Sequence, residues 1–469
     1  IKLQGVSRHQ DRENMGNAIT EKQHAEDIKI ILDVGANSVR LAHYQQNSYF
    51  YDLCDESGLL VWAEVPVISR FSPKRNENAE QQLVELIKQN YNHPSIFCWG
   101  IENEITIAGS ASKKLITFLK HMHKVARHLD PTRYTTCAQL TTCPVNSPLN
   151  HITDIIGYNH YYGWYMGPCD EINNWLDEWH RENPEGKLCL SEYGAEGITK
   201  YHSDFPVQGD YSEDYQAIYH EHYIKSINER DWLWGSYVWN MFDFGSASRN
   251  EGGVRGRNNK GLVTFDRKTK KDAFWLYKAY WSDKKFVHIT GERYVNRPAG
   301  KSTIKVYSNC PEVTLEVNGK TYTKKADRVF VFDDIDLKLG ENVIKARGGK
   351  VLPSHTITVN GIEKATDEYK MPAEYSSFVR NWFVAADGEG DPNKLSVEDS
   401  MGEVLSNGEI NKIIKNAAGD FVAKAVSSPL LKPIYPVKVK TMIKLAGKLG
   451  VDEKMLSLAG GFLQTIDKN

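Results

Sequence analysis

Long hydrophobic runs are missing from this chain: no stretch approaches the roughly 18 to 20 apolar residues that a membrane-spanning helix needs, and the mean hydropathy is -0.51. An excess of charge is missing too. Lys and Arg number 58 against 60 Asp and Glu, a formal charge of -2, so there is no electrostatic footprint for nucleic acid or an anionic membrane. Cysteine is sparse. The seven (Cys54, Cys98, Cys137, Cys143, Cys169, Cys189 and Cys310) are odd in number, have no CxxC spacing and mostly adjoin apolar residues. They read as buried free thiols in a reducing, cytoplasmic compartment. The chain starts at Ile1, so a leader removed by processing stays open. Also absent are a phosphate-cradling Gly loop, HExxH and GxSxG, which sets aside the nucleotide, zinc-protease and serine-hydrolase readings.

What is present is a large core and a repeating pattern. The 469 residues, 41% of them hydrophobic, suffice for several domains, one of them a barrel of about 250 residues. Through residue 283 a short apolar run, polar or aromatic residues and a helix-period segment recur. Strands are predicted at 1–6, 38–42, 59–65, 95–100, 134–138, 154–158, 187–191 and 235–239, eight in all. Helices are predicted at 20–33, 49–57, 77–90, 112–129, 170–181, 213–228 and 271–281. The first opens on Thr20-Glu21-Lys22-Gln23, a capping-box spacing, with Ile28, Ile31 and Leu32 on one face. The connection 139–153 is short and broken by proline. Past Ser282 the period changes to two, as in "VTLEVNGKTY" (313–322), whose Asn318-Gly319 is a hairpin signal. The tail after "DGEGDPN" (387–393) turns helical in period, with Ile410, Ile413, Ile414, Ala417, Phe421 and Val422 on one stripe. The expected fold is therefore α/β: a (β/α)8 TIM barrel over 1–283, an immunoglobulin-like β-sandwich over 284–365, and a linker with a small helical accessory domain over 366–469.

In such barrels the chemistry sits where the strands end, because the loops there converge on one mouth. The residues following the predicted strands include His9, His43, Asn103 and Glu104, Asn159 and Tyr161, Glu192, Trp239 and Asp243. Amides, carboxylates and aromatics with little lysine suit a neutral, hydroxyl-rich ligand such as a sugar. Two strand-end acids, Glu104 and Glu192, are what glycosidic cleavage needs: one protonated to help the leaving oxygen, one ionised to attack. Solvated loop-end acids are the ordinary alternative. Glu102 alternates with Asn103 and is assigned a bracing role.

The motifs "GVSRHQD" (5–11), "ANSVRLAHY" (36–44), "NHPSIFCWGIENE" (92–104), "YNHYYGWY" (158–165), "LSEYGAEG" (190–197) and "VWNMFDFG" (238–245) resemble, in order, the catalytic barrel of glycoside hydrolase family 2. That family holds bacterial β-galactosidases, β-glucuronidases and β-mannosidases, and the sandwich and helical end look most like the galactosidases of gut-type bacteria. The resemblance implies a retaining, double-displacement hydrolase of terminal β-D-galactosides, with Glu104 as general acid/base and Glu192 as nucleophile. It places Asn103 on the hydroxyl next to the anomeric carbon, Tyr161 near the nucleophile, Trp239 under the sugar, and His9, His43 and Asn159 around it. The best-known β-galactosidases of the family carry a Glu and His metal pair after strand three, where this chain reads Val67-Ile68-Ser69-Arg70. No metal and no other cofactor is therefore expected. Members also open with sugar-binding domains ahead of the barrel, so this chain is expected to be the later part of a longer protein, with those domains or a fragment carrying them as partners. A homo-oligomer is left open. Asn258-Asn259-Lys260 has the Asn-x-Lys spacing by which β-glucuronidases hold a sugar carboxylate, with Arg255 or Arg257 as a second cation, so β-glucuronide is the alternative substrate. From another class, a non-catalytic sugar-binding or assembly fragment is the rival.

Overall fold

In the computed structural model, which describes residues 2–107, 111–349 and 353–372 and parts of the chain after 394, eight parallel strands close on themselves. They are β1 (Leu3–Arg8), β2 (Ser38–Leu41), β3 (Leu60–Glu64), β4 (Ile96–Asn103), β5 (Tyr134–Leu140), β6 (Ile155–Asn159), β7 (Leu188–Tyr193) and β8 (Gly235–Val238), in that order around the barrel. Around them run α1 (Glu21–Val34), α2 (Ser48–Ser57), α3 (Asn76–Asn90), α4 (Lys113–Leu129), α5 (Glu171–Glu182) and α6 (Glu213–Asn228). Between β5 and β6 there is only a short 3-10 turn at Pro148–His151, as the proline-broken sequence suggested.

Local sequence explains these elements. Thr20 accepts from the Gln23 amide and Gln23 reaches back, closing the capping box of α1; Gly35, at φ 89°, ends it in the left-handed region that favours glycine. Ile28, Ile31 and Val34 are buried on the inner face. The lumen is filled by Trp62, Cys98, Ala138, Ile155, Cys189 and Tyr237. Gly157 makes this filling fit, since a Cβ there would lie 2.9 Å from the Trp62 ring and 2.6 Å from Ser191 Oγ. The seven cysteines are free, and all but the half-buried Cys169 are buried.

The prediction stopped β4 three residues early. The strand runs on to Asn103, which buries Glu102: its carboxylate accepts from the Ile105 amide and from Gln139, as a brace would.

After β8 the chain forms a hairpin, β9 (Phe244–Glu251) and β10 (Val254–Asn258), then α7 (Asp272–Trp281). Two sheets follow, one of β11 (Val287–Ile289), β13 (Gly300–Ser308) and β16 (Val329–Leu337), the other of β12 (Asn296–Pro298), β14 (Glu312–Val317), β15 (Lys320–Lys325), β17 (Gly340–Gly348) and β18 (Ser354–Ile362). Asn318 and Gly319, with φ 51° and 81°, make the β14–β15 turn. These strands bury Ile304, Leu315, Phe330, Ile344 and Val359 in a core of their own. Past residue 394 the described residues include one helix, α8 (Met401–Ser406), and a small cluster with Leu395, Val404 and Ile410. The helical stripe expected through Phe421 lies otherwise outside the described residues. No helix among the described residues is long and apolar enough to cross a membrane.

Candidate active site

The strand ends open on a cavity of about 460 Å3 lined by His9, His43, Asn103, Glu104, Tyr161, Glu192, Trp239 and Asn258, with Ile68, Tyr165, Phe244 and Arg249 among the others. Of the residues singled out in the sequence, Asn159, Asp243 and Lys260 are not on its wall: Asn159 and Lys260 are bonded behind it, and Asp243 accepts from Lys271 and the Gly261 amide.

An arginine that the sequence reading passed over organises one wall. Arg40, fully buried in β2, donates through Nε and Nη2 to the two oxygens of Glu64 at 3.0 Å each, through Nη1 to Glu192 Oε1 at 2.7 Å, and through Nη2 to Asn103 Oδ1 at 2.7 Å. One cation thereby orients strands β3, β4 and β7 against each other. Its signal was present: an Arg between Val39 and Leu41, in a strand otherwise fit only for burial. Glu192 receives a second donor, the Tyr161 hydroxyl, at 2.7 Å. Its carboxylate is thus held by two groups that accept nothing from it.

Glu104 has the opposite environment. It is the first residue past β4, at φ 51°, and its amide donates to the Ala138 carbonyl at 2.8 Å. Asn159 Nδ2 donates both to Glu104 Oε1 at 3.0 Å and to Asn103 Oδ1 at 3.1 Å, while Ser191 Oγ donates to Asn159 Oδ1 at 2.7 Å. Burial, then the charge of Glu192, pushes the Glu104 carboxyl up to about 8. It holds a proton at neutral pH.

Aromatic rings complete this wall. His43 lies 2.6 Å from Glu64 Oε1 through Nδ1 and stacks on Trp239, with centroids 5.1 Å apart and planes at 14°. His9 packs on Phe244 at 4.3 Å. Burial, then His43, Arg40 and Arg8, holds its imidazole well below the usual range, so it is neutral.

A second buried ion cluster borders the cavity. Lys260, wholly buried, donates through Nζ to the Tyr165 hydroxyl at 2.7 Å and to Glu196 Oε1 at 3.1 Å, and its amide donates to Asn258 Oδ1 at 3.0 Å. Arg249, on β9, donates through Nη1 to Glu196 at 2.8 Å and Glu251 at 2.7 Å, and through Nη2 to Tyr165 at 3.0 Å. The cations named from sequence are elsewhere: Arg255 is exposed and Arg257 pairs with Glu13, and neither lines the cavity. Arg249 carries no periodic signal, because the hairpin bearing it has neither clean alternation nor apolar bulk. Two groups of described residues have three side chains close enough to share an ion: His288, Glu292 and His355, and Asp52, Asp55 and His93. Neither borders the cavity.

Comparison with known proteins fits this geometry. The family description "Glycosyl hydrolases family 2, TIM barrel domain" matches residues 1–286. A β-glucuronidase of Bacteroides fragilis is 39% identical over 387 residues, covering 78% of this chain and 53% of that protein. The crystal structure of an FMN-binding β-glucuronidase from Facaelibacterium prausnitzii L2-6 is similar with a TM-score of 0.77 and 49% identity, covering 79% of this chain and 58% of that one. A Bacteroides fragilis structure with a provisional β-galactosidase name has a TM-score of 0.73 and 36% identity, covering 77% and 55%. The chain thus spans about half the length of the curated relatives it matches.

The expectation of a β-galactoside is overturned by these relatives: at 49% and 39% identity the name is β-glucuronidase. That expectation rested on the look of the sandwich and helical end, which lie outside the barrel and its cavity; at the cavity itself Arg249 reaches the wall from a hairpin and Lys260 stands just behind Tyr165. With its eight-stranded barrel, its two buried acids in contrasting surroundings and a profile match over more than half its length, the chain belongs to glycoside hydrolase family 2.

Proposed function

We propose that the chain carries the catalytic domain of a β-glucuronidase that hydrolyses terminal β-D-glucuronides with retention of configuration. Glu192 attacks the anomeric carbon while Glu104 gives its proton to the leaving oxygen; Glu104, then ionised, takes a proton from the water that releases the sugar. Asn103, fixed by Arg40 and Asn159, bonds the neighbouring sugar hydroxyl, and Trp239 offers its ring to the sugar's apolar face. The observation carrying the uronide reading is that the cavity holding both acids is also lined by Asn258, Tyr165 and Arg249, with Lys260 behind them. A neutral sugar needs no such cations, whereas a buried carboxylate needs fixed donors. The names of the relatives support the same reading.

The test is turnover by the full chain of nitrophenyl β-D-glucuronide against nitrophenyl β-D-glucoside, which replaces the carboxylate by a hydroxymethyl group. The glucuronide is expected to have the higher kcat/KM by about a hundredfold or more, and nuclear magnetic resonance is expected to show the β anomer of glucuronate first. Equal specificity constants, or an initial α anomer, would overturn the reading. So would binding of glucuronate with no turnover of either glycoside, which would leave a sugar-binding module.

A further inference from the structure

We propose that Glu102 is a positioning residue: its carboxyl clamps the bulge and turn that carry Glu104 into the cavity, so that it braces the acid of the reaction as well as the barrel wall. The inference rests on the acid role given to Glu104 above and adds a group that stands off the cavity wall.

The backbone of β4 is irregular where the acid leaves it. Gly100 pairs with Thr136 and Asn103 with Ala138, so Ile101 and Glu102 together stand opposite Cys137 alone. An extra residue of this kind bends a strand and re-aims the side chains beside it. Glu104 follows at once, and its φ of 51° lies in the left-handed region, which costs energy for any residue with a Cβ and persists only where neighbours enforce it. Backbone bonds supply part of that enforcement: the Glu104 amide donates to the Ala138 carbonyl at 2.8 Å, and the Ile107 amide to the Glu104 carbonyl at 3.0 Å. A side chain supplies the rest. Glu102 is fully buried and absent from the cavity wall. It accepts from the Ile105 amide through Oε2 at 3.1 Å and from Gln139 Nε2 through Oε1 at 3.2 Å, and the Cys137 thiol bonds it as well. One carboxyl thus joins the residue after the acid to two residues of β5, across the bulge.

The chemistry of the group suits that place. Burial pushes the Glu102 carboxyl up to about 8, so at neutral pH it is a neutral acid and sets no second charge beside Glu104. Its proton has a taker. Gln139 Oε1 is buried without a hydrogen-bond partner among the described residues, and turning that amide over presents the oxygen to Glu102. The clamp then consists of one bond given to Gln139 and one accepted from Ile105. A glutamine at 102 reproduces both bonds, and an apolar side chain reproduces neither.

The experiment compares wild type, Glu102→Met, Glu102→Gln and Glu104→Gln on two substrates: methyl β-D-glucuronide, whose leaving group needs a proton, and nitrophenyl β-D-glucuronide, whose leaving group needs it least. It adds the pH profile of kcat/KM, the inhibition constant for free D-glucuronate and a thermal melt of each protein. Glu102→Met keeps the volume and removes the clamp; if it does not fold, Gln139→Met, which removes one anchor on β5, is read in its place with the same signs. Expected for Glu102→Met is a loss of about 10²-fold in kcat on the methyl glycoside, the size of a displacement of about 1 Å at the acid, against changes within about threefold on the nitrophenyl glycoside and in the glucuronate constant. The alkaline limb, set in wild type by Glu104 at about 8, should move to lower pH as the loosened carboxyl meets water. Glu102→Gln should stay within about fivefold of wild type on both glycosides. Equal losses on the two glycosides, no loss in a folded Met variant, or a Gln variant as impaired as the Met variant would each overturn the role of Glu102 while leaving the acid reading intact. A Glu104→Gln variant that slows both glycosides alike, or a wild type that turns over neither, would overturn the acid reading itself, and this inference with it.

Discussion

The cavity is bounded by two buried ion clusters, and they are built differently. The one around Arg40 stands on strands: β2 supplies the cation, β3, β4 and β7 the acceptors, and each of its three nitrogens is satisfied. The one around Arg249 stands on the β9–β10 hairpin and the loops after β6 and β7, and among the described residues it leaves Arg249 Nε without a hydrogen-bond partner. The strand-borne cluster has every donor of its cation paired, whereas the loop-borne one does not. On the proposed function, the first sets the rate for every substrate and the second chooses among substrates.

The largest effect that would sharpen this contrast is expected for Glu192→Gln, which should lower kcat by about 10⁴-fold or more on any glycoside while the protein stays folded. A loss confined to the glucuronide would erase the distinction between the clusters. Next comes Arg40→Met, which strands two buried carboxylates and should cost about 3 to 5 kcal/mol in urea denaturation; an unchanged midpoint would mean that Arg40 does not hold the barrel wall.

Glu104→Gln should slow poor leaving groups by about 10²- to 10³-fold and activated aryl leaving groups much less, since only the former need a proton. Equal losses would remove Glu104 from the acid role. The pH dependence follows from its raised carboxyl. Wild-type activity should fall as pH rises through about 8, and this limb should vanish in the variant. Stability carries the same sign: the folded pKa lies above the unfolded one, so folding takes up a proton between the ordinary value of 4.5 and about 8. The contribution of Glu104 to stability is therefore fully present below pH 4.5 and lost as pH rises through 8. Glu104→Gln should gain stability relative to wild type at high pH and not at low, a difference that melts at two pH values would read.

The smallest effect is expected for Tyr165→Phe, about 1 to 2 kcal/mol in kcat/KM for the glucuronide alone. A similar loss on the glucoside would place Tyr165 with the acid wall instead.

The barrel was legible because each of its strands carries its own apolar run and α1, α2, α4 and α6 carry their own N-caps; β1 to β8 fall within a few residues of where the sequence puts them. The acids Glu104 and Glu192 were legible for the same reason, since strand ends in such a barrel must meet at one mouth. Arg40 was missed although visible, an arginine in an apolar strand. The hairpin was not visible: "FGSASRNEGGVRGRN" (244–258) has neither clean alternation nor apolar bulk, so nothing local marked Arg249 as buried.

By itself, then, the sequence determined the barrel, the family and the meeting of Glu104 and Glu192 at one mouth, because periodicity, caps and strand-end position are properties of neighbouring residues. The tertiary structure alone decided which charges meet. Arg40 and Glu192 are 152 positions apart and Glu196 and Lys260 are 64 apart, and the protonation of Glu104 depends on its burial and on Glu192 across the cavity. Electrostatic interaction depends on distance through space and on exclusion of water, and neither is written in the order of the residues.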